Sequence, residues 1–386
     1  MRVHRHFSKA LLLSTTLLAS ACDQQNRVEQ AIPAKQKPLE SAVTRGVYGD
    51  PGTLLEAGYR FDELGMNAIF VRSISLDDEI YNAAKNQNAR IFVEFPTLLG
   101  RYYVEEHPDA WPIDQTGKKS PPADWFMGVC PTNPGFKAHR EQQLRNILAN
   151  YKVDGIFLDY VHWHAQFETT DPILPETCFC EHCISSFSKH SGITVPDGNT
   201  AERASWILSH TDPQWRSWRN HVLNQWVSDL GEVVEEVQPD ALLGVFHCAW
   251  YPEDHNAALY RTLGIDMKGL ARNADVLAPM LFHRMKAKPT EWVSEYTSWL
   301  GQQIKQSDIG PGPKIWPIVQ SHNAPGEVTP EEFRQVMIEG AKPPSSGIMM
   351  FSDRSLLEDK EKLEVMRSLY LNDRSTNDSA ANDSQL

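Results

Sequence analysis

The sequence predicts a closed (β/α)8 barrel, a TIM-barrel α/β fold in one domain with long loops after strands 3 and 4. Three observations carry this. Eight short apolar runs alternate with longer amphipathic stretches. The runs are continuously apolar, as strands buried on both faces of a parallel sheet should be. No glycine-rich phosphate loop follows the first run, which removes the dinucleotide-binding open sheet as an alternative. Eight strand–helix units favour the closed barrel.

In chain order the strands are expected at residues 43–48, 68–72, 90–95, 155–160, 242–250, 276–282, 314–320 and 347–351. Helices are expected at 52–64, 76–88, 134–151, 213–237, 267–273, 290–304, 330–340 and 355–371. The helix at 330 opens with the acidic first turn that suits a helix N-terminus. Two connections, 96–133 and 161–212, are much longer than the rest, and both follow strands. Loops in that position form the C-terminal face, where barrel proteins keep their chemistry.

The ends read differently from the body. Arg2 and Arg5 precede a short apolar stretch, Leu11 to Ala19, too short to span a bilayer. Residues 1–21 are therefore expected to be an export signal. Leu18-Ala19-Ser20-Ala21-Cys22 resembles a bacterial lipobox, with Ala19 where leucine is usual. That resemblance implies cleavage before Cys22, acylation of its sulfur, and a membrane partner on the periplasmic or outer side. Ordinary secretion with a free Cys22 is the alternative. Residues 22–42, rich in Gln, Pro and Lys, are expected to be a flexible tether, and 372–386 a loose tail. Residues 43–371, roughly 330 in all, fit one barrel. A net charge of −13 argues against a nucleic-acid partner. Aromatic residues make up 10% of the chain, enough for a core with surplus for a sugar-stacking cleft.

The barrel assignment places several polar side chains at the mouth. Glu94 ends the third strand and Asp159 the fourth, while Arg72 ends the second. His247 lies near the end of the fifth, Asp254 just beyond it, His283 after the sixth, Gln320 at the seventh and Asp353 after the eighth. Converging carboxylates suit glycoside cleavage, which needs one carboxyl as proton donor and another as nucleophile or base. Asp159 is the sharpest candidate, because an apolar strand delivers it to the C-terminal tip, where burial costs energy without a task or a partner. The alternative is a structural Asp bonded to loop amides or to Arg72. Glu94, Asp254 and Asp353 are the candidate second carboxyls, with a salt bridge of Glu94 to Arg72 and helix capping by Asp353 as the plainer readings. Asp154 begins its strand and belongs to the stability face.

His162, Trp163 and His164 follow Asp159 in the long loop. They lack catalytic-zinc spacing, so hydrogen bonding to sugar hydroxyls, or simple loop packing, is the reading. Trp111 and Trp250 are candidate stacking faces for a sugar ring. Cys178, Cys180 and Cys183, with Cys130 upstream, could close a tetrahedral structural Zn2+ shell that pins the two long loops together. Disulfides are the alternative for an exported protein. No organic cofactor is expected.

Further residues carry a resemblance. Cys130-Pro131-Thr132-Asn133-Pro134, Val153 to Tyr160, Cys178-Phe179-Cys180, His107 to Trp111 and Ala278 to Arg284 resemble a group of hypothetical glycoside hydrolase-like barrels. The cysteine arrangement is similar to the structural zinc site of family 42 β-galactosidases. Those enzymes place a proton-donor Glu after Asn at the fourth strand and a nucleophile Glu at the seventh. Here Asp159 and Gln320 stand near those places, so that mechanism does not transfer directly. α-Fucosidase-like and α-amylase-like barrels use a fourth-strand Asp as nucleophile, and the resemblance implies that role for Asp159. The expected function is hydrolysis of a glycosidic bond in an oligo- or polysaccharide. The rivals are a non-catalytic glycan-binding lipoprotein of the same fold and a hydrolase of another bond that uses the histidines.

Overall fold

The computed structural model describes residues 44–306, 310 and 312–383, with side chains up to residue 371. The expected export signal, Cys22 and the whole of the tether lie outside these residues. Among the described residues no helix is long and apolar enough to cross a membrane.

Nine strands run β1 (Thr44–Gly49), β2 (Ala68–Arg72), β3 (Arg90–Pro96), β4 (Gly155–Asp159), β5 (Leu242–Cys248), β6 (Val276–Leu281), β7 (Lys314–Ile315), β8 (Ile318–Gln320) and β9 (Gly347–Phe351). All pair in parallel, and the β5–β6 and β1–β9 ladders close the ring. The result is an eight-stave barrel, as the sequence predicts. The seventh stave is split rather than continuous, because β7 and β8 both pair with β6 on either side of Trp316-Pro317. Pro317 has no N–H to give the ladder.

Helices flank the barrel: α1 (Gly52–Glu56), α2 (Asp78–Asn86), α3 (Arg101–Glu106), α4 (Pro134–Asn150), α5 (Glu181–Ser191), α6 (Thr200–His210), α7 (Asp212–Val237), α8 (Asp254–Arg261), α9 (Met267–Asn273), α10 (Trp292–Lys305), α11 (Pro330–Gly340), α12 (Asp353–Glu358) and α13 (Lys360–Asp383). Local chemistry sets their starts. Asn133 caps α4 through the Phe136 N–H, with Pro134 in the first turn. Asn199 and Glu202 form a capping box on α6. The first helix is shorter than expected, stopping at Glu56 before Gly58 turns left-handed. Helices α3, α5, α6 and α8 lie in segments where the sequence reading placed loops. Helix α13 runs on into the segment expected to be a loose tail.

The barrel interior is filled by aromatic rings. Phe70 stacks on Phe92 at 5.0 Å, and Phe157 meets Phe70 edge-on at 5.1 Å and Trp316 face-on at 5.8 Å. Neighbouring staves make room with glycine. A Cβ at Gly46 would lie 2.5 Å from the Phe70 ring, and one at Gly244 2.5 Å from Phe157. Large and small residues thus alternate around the barrel as its taper requires. Gly244→Val should destabilise the protein by about 1–3 kcal/mol through overpacking. Adding Phe157→Leu should recover part of that loss. Chemical denaturation of the two single variants and the double variant checks this, and strictly additive effects would contradict the close contact.

Candidate active site

Side chains alternate along a strand, so the interior layer that holds Phe92 and Phe157 continues upward to Glu94 and Asp159. Register pairs Glu94 with Phe157 and Pro96 with Asp159, which sets Glu94 one layer below Asp159. Asp159 is buried at the floor of a cavity of about 190 Å³ in the barrel mouth. Tyr48, Trp125, Tyr160, Glu168, Phe246 and Phe351 are among its other walls. The volume falls below the roughly 300–1,000 Å³ of drug-sized ligand sites. It offers room for one sugar ring rather than a chain.

Two carboxyls, Asp159 and Glu168, line this low-dielectric space, and Glu94 lies beneath it. Burial pushes Asp159 up to about 7, against the pull of the Tyr160 N–H that donates to its Oδ1 at 2.7 Å. Burial, then the charge of Asp159, pushes Glu168 up to about 8, with Lys286 pulling the other way. Glu94 is driven well above the ordinary carboxylate range by burial and then by Asp159, with Arg72 and Arg140 opposing. The phenols of Tyr48 and Tyr160 are also raised, by burial first and then by these carboxylates, so both remain hydroxyl donors at neutral pH. Tyr160 sits in the left-handed region at φ 55, which a bulky residue adopts only when its surroundings hold it there.

Glu168 is absent from the sequence-derived candidates. It lies in the loop after β4, away from any strand end. The loop is anchored there by Lys286, whose Nζ donates to the Phe167 carbonyl at 2.6 Å and lies over the Trp250 ring at 4.9 Å.

The other expected residues are placed elsewhere. Asp353 accepts from the Asp50 N–H at 2.8 Å and the Thr53 hydroxyl at 2.9 Å, tying α12 to the first loop; Ser352 is the cap residue of that helix. Asp254 accepts from the Tyr251 N–H at 2.8 Å at the start of α8. Neither lines the cavity. Arg72 is half-exposed at the rim, 3.9 Å from Asp50. His247 occupies the opposite face of β5 from Phe246, because its neighbour takes the interior position; it is buried, with Nδ1 against the Cys248 carbonyl. His283 pairs with Glu332 at 2.7 Å. The Gln320 amide is spent on the backbone of Arg284, His322 and Ala324. His162 is buried with Nδ1 on the Trp163 carbonyl. His164 bridges two loops, accepting from the Gly128 N–H and donating to the Pro121 carbonyl. Trp163 is buried under the Arg219 guanidinium, and Trp111 donates to the Ser120 carbonyl. Trp250 is buried behind the cavity wall against Phe167 and His255. None of these eight histidine, tryptophan and glutamine side chains lines the cavity. Asp154 accepts from the Ile91 N–H at the opposite end of the barrel.

The cysteines do converge. The Sγ atoms of Cys130, Cys178, Cys180 and Cys183 all lie within 4.8 Å of one another. Cys130 is 3.4 Å from Cys180 and 3.5 Å from Cys183, too far for disulfides and near the edge of a tetrahedral thiolate shell. The cluster joins the loop after β3 to the loop after β4. The Phe179 N–H donates to the Ile113 carbonyl, and the Ile113 N–H to Cys178 Sγ, across the same seam. Cys248 is a separate buried free thiol.

The barrel is shared with known glycoside hydrolases. The chain is similar to the PgaB (BpsB) glycoside hydrolase domain from Bordetella bronchiseptica, at TM-score 0.63 and 14% identity, over 85% of this chain and 99% of that one. It is similar to β-galactosidase from the psychrophilic Marinomonas ef1, at TM-score 0.60 and 10% identity, over 88% and 60% of the two chains. A β-galactosidase from Bacillus circulans sp. alkalophilus matches at TM-score 0.58 and 15% identity, over 85% and 56%. The chain thus spans less than two thirds of these β-galactosidases. No family model matches the chain, and no curated protein does. At these identities the likeness is one of fold.

Asp159 holds its proton more tightly in the folded protein, where it titrates near 7, than in the unfolded chain, where 3.8 is usual. Between those values the native state keeps a proton that the unfolded chain has lost. The resulting stability is complete below 3.8 and is lost as pH rises through about 7. Asp159→Asn should therefore melt higher than wild type at pH 8, by roughly 2–4 °C, and match it near pH 4. Equal melting temperatures at pH 8 would mean that the carboxyl is not buried.

Proposed function

We propose that this protein hydrolyses a glycosidic bond in an oligo- or polysaccharide. The observation that carries the reading is the pair Asp159 and Glu168, two carboxyls on the wall of one sugar-sized aromatic cavity. Both are held near neutrality by burial, and the charge of Asp159 further disfavours ionisation of Glu168. In such a pair one carboxyl stays protonated while the other ionises, which is the division of labour glycoside cleavage requires. The glycosidase-type barrel of the structural neighbours supports the same reading.

Glu168 is assigned as the acid/base, because the charge of Asp159 adds to burial in holding its proton. It would protonate the leaving glycosidic oxygen as the anomeric C–O bond breaks. Asp159, ionised, would act as nucleophile or stabiliser of the positive charge that develops on the sugar ring. A water then completes the hydrolysis and returns the proton to Glu168. Glu94 is buried one layer deeper, where the charge of Asp159 adds to burial in keeping it protonated. Tyr48 and Tyr160 supply hydroxyl donors to the bound sugar. Glu168 provides the second carboxyl without which only a glycan-binding role would remain.

Glu168→Gln should lower kcat by about 10²–10⁴-fold on natural glycans and far less on aryl glycosides whose leaving group needs no proton. It should also remove the alkaline limb of the pH–rate profile. Uniform loss on both substrate types would take the acid role away from Glu168, and full activity of Asp159→Asn on a glycan panel would overturn the proposal.

We also assign the four-cysteine cluster a structural Zn2+. Four buried thiols at this spacing complete a tetrahedral shell and leave no open position for chemistry. Elemental analysis should find about one zinc per chain, with a lower melting temperature after chelation. Oxidised cysteines without metal would refute the assignment.

A further inference from the structure

The mouth cavity accommodates one ring, so the remainder of a longer glycan must lie on another surface. A larger cavity of about 690 Å³ lies on the barrel flank, between the loops after β2 and β3 and the outer face of α4. Trp125 lines both cavities. Five large hydrophobic side chains are notably exposed among the described residues, and three of them, Ile74 (90%), Tyr102 (80%) and Trp125 (43%), line this one groove. Exposed aromatic and aliphatic surface gathered in one place marks a binding face.

The chemistry of the groove narrows the occupant. Hydrogen-bonding side chains, Gln143, Asn146 and His139, alternate with the aromatic ones. Burial lowers the His139 pKa, so its ring is neutral at physiological pH. Arg101 and Arg140 also line the groove, and no Asp or Glu does, in a chain of net charge −13. Arg140 is committed to the Thr97 and Leu99 carbonyls and fixes the wall. Ring faces interspersed with amide and imidazole groups suit a hydroxyl-rich chain, with C–H faces to stack and hydroxyls to bond. The Gln143 and Asn146 side-chain oxygens already accept from Arg140 and Gln142, but an all-apolar protein helix would offer no partner to their amide nitrogens or to the His139 ring.

We infer that the flank groove is an extended glycan subsite, which binds the part of a polysaccharide beyond the scissile bond as it leaves the mouth over Trp125. This rests on the glycosidase reading for its direction but is tested apart from it. Binding is read by affinity electrophoresis in gels cast with hydroxyethylcellulose, arabinoxylan, glucomannan, galactan or alginate. Hydrolysis is read on aryl glycosides, which fill the mouth cavity alone. Wild type and Asp159→Asn should both be retarded by at least one polysaccharide. Ile74→Ser with Tyr102→Ala should weaken that retardation by about tenfold. Both side chains are exposed, so the double variant should fold, and its melting temperature verifies this. Unchanged retardation of the double variant, or no retardation of wild type by any of the five polymers, overturns the subsite. Aryl-glycoside cleavage without retardation defeats the groove and spares the hydrolase. Retardation that depends on Tyr102, with no cleavage of any glycoside, defeats the hydrolase and leaves the groove as a glycan-binding face.

Discussion

The dry aromatic plug of the barrel governs the chemistry above it. Phe70, Phe92, Phe157 and Trp316 exclude water from beneath Asp159 and Glu94. A carboxylate above such a floor loses solvation on one whole side, and its ionised form is disfavoured. The same packing that stabilises the fold therefore sets the proton affinity of the site. Burial is the leading cause of the shift at Asp159, Glu94 and Glu168 alike, with charge–charge repulsion second where it acts. A wetter, looser floor would leave ordinary carboxylates at the mouth, ionised at neutral pH and unable to give up a proton.

The two long loops complete what the barrel begins. One supplies Trp125 and the other Glu168, so the cavity exists only when both are held over the mouth. Several contacts hold them. The cysteine cluster and the adjoining Ile113–Phe179 seam join the loops to each other. His164 clasps Gly128 and Pro121, and Lys286 ties Phe167 to the sixth connection. His162, Trp163 and His164 are thus structural parts of these loops, buried and internally bonded, which explains why none of the three faces the cavity.

Much of the barrel is legible in the sequence because parallel strands buried on both faces leave continuous apolar runs, as at Ala68–Arg72 and Gly347–Phe351. The break in the seventh stave was signalled by Pro317, a residue without the donor that a ladder needs. Strand alternation, applied at Phe246, would have turned His247 away from the mouth. The cysteine cluster was legible from spacing. Glu168 was not. A loop residue's direction depends on long-range contacts such as Lys286 with Phe167, which no local pattern encodes. Helices α5 and α6 were missed for a different reason. Their signals were present, in the Asn199–Glu202 box for instance, but the polar composition of the insertion resembled that of an unstructured loop.

The fit between ring and glycine inside the barrel constrains how this protein can diverge. Gly46 exists where it does because Phe70 fills the space a side chain would need, and Gly244 stands in the same relation to Phe157. Neither member of a pair can be exchanged freely while the other stays. Across descendants of this chain such positions should drift together, a larger residue on one stave matched by a smaller one on its neighbour. Correlated columns at the barrel centre would then record mutual accommodation of volume, and should not be mistaken for a signature of catalysis.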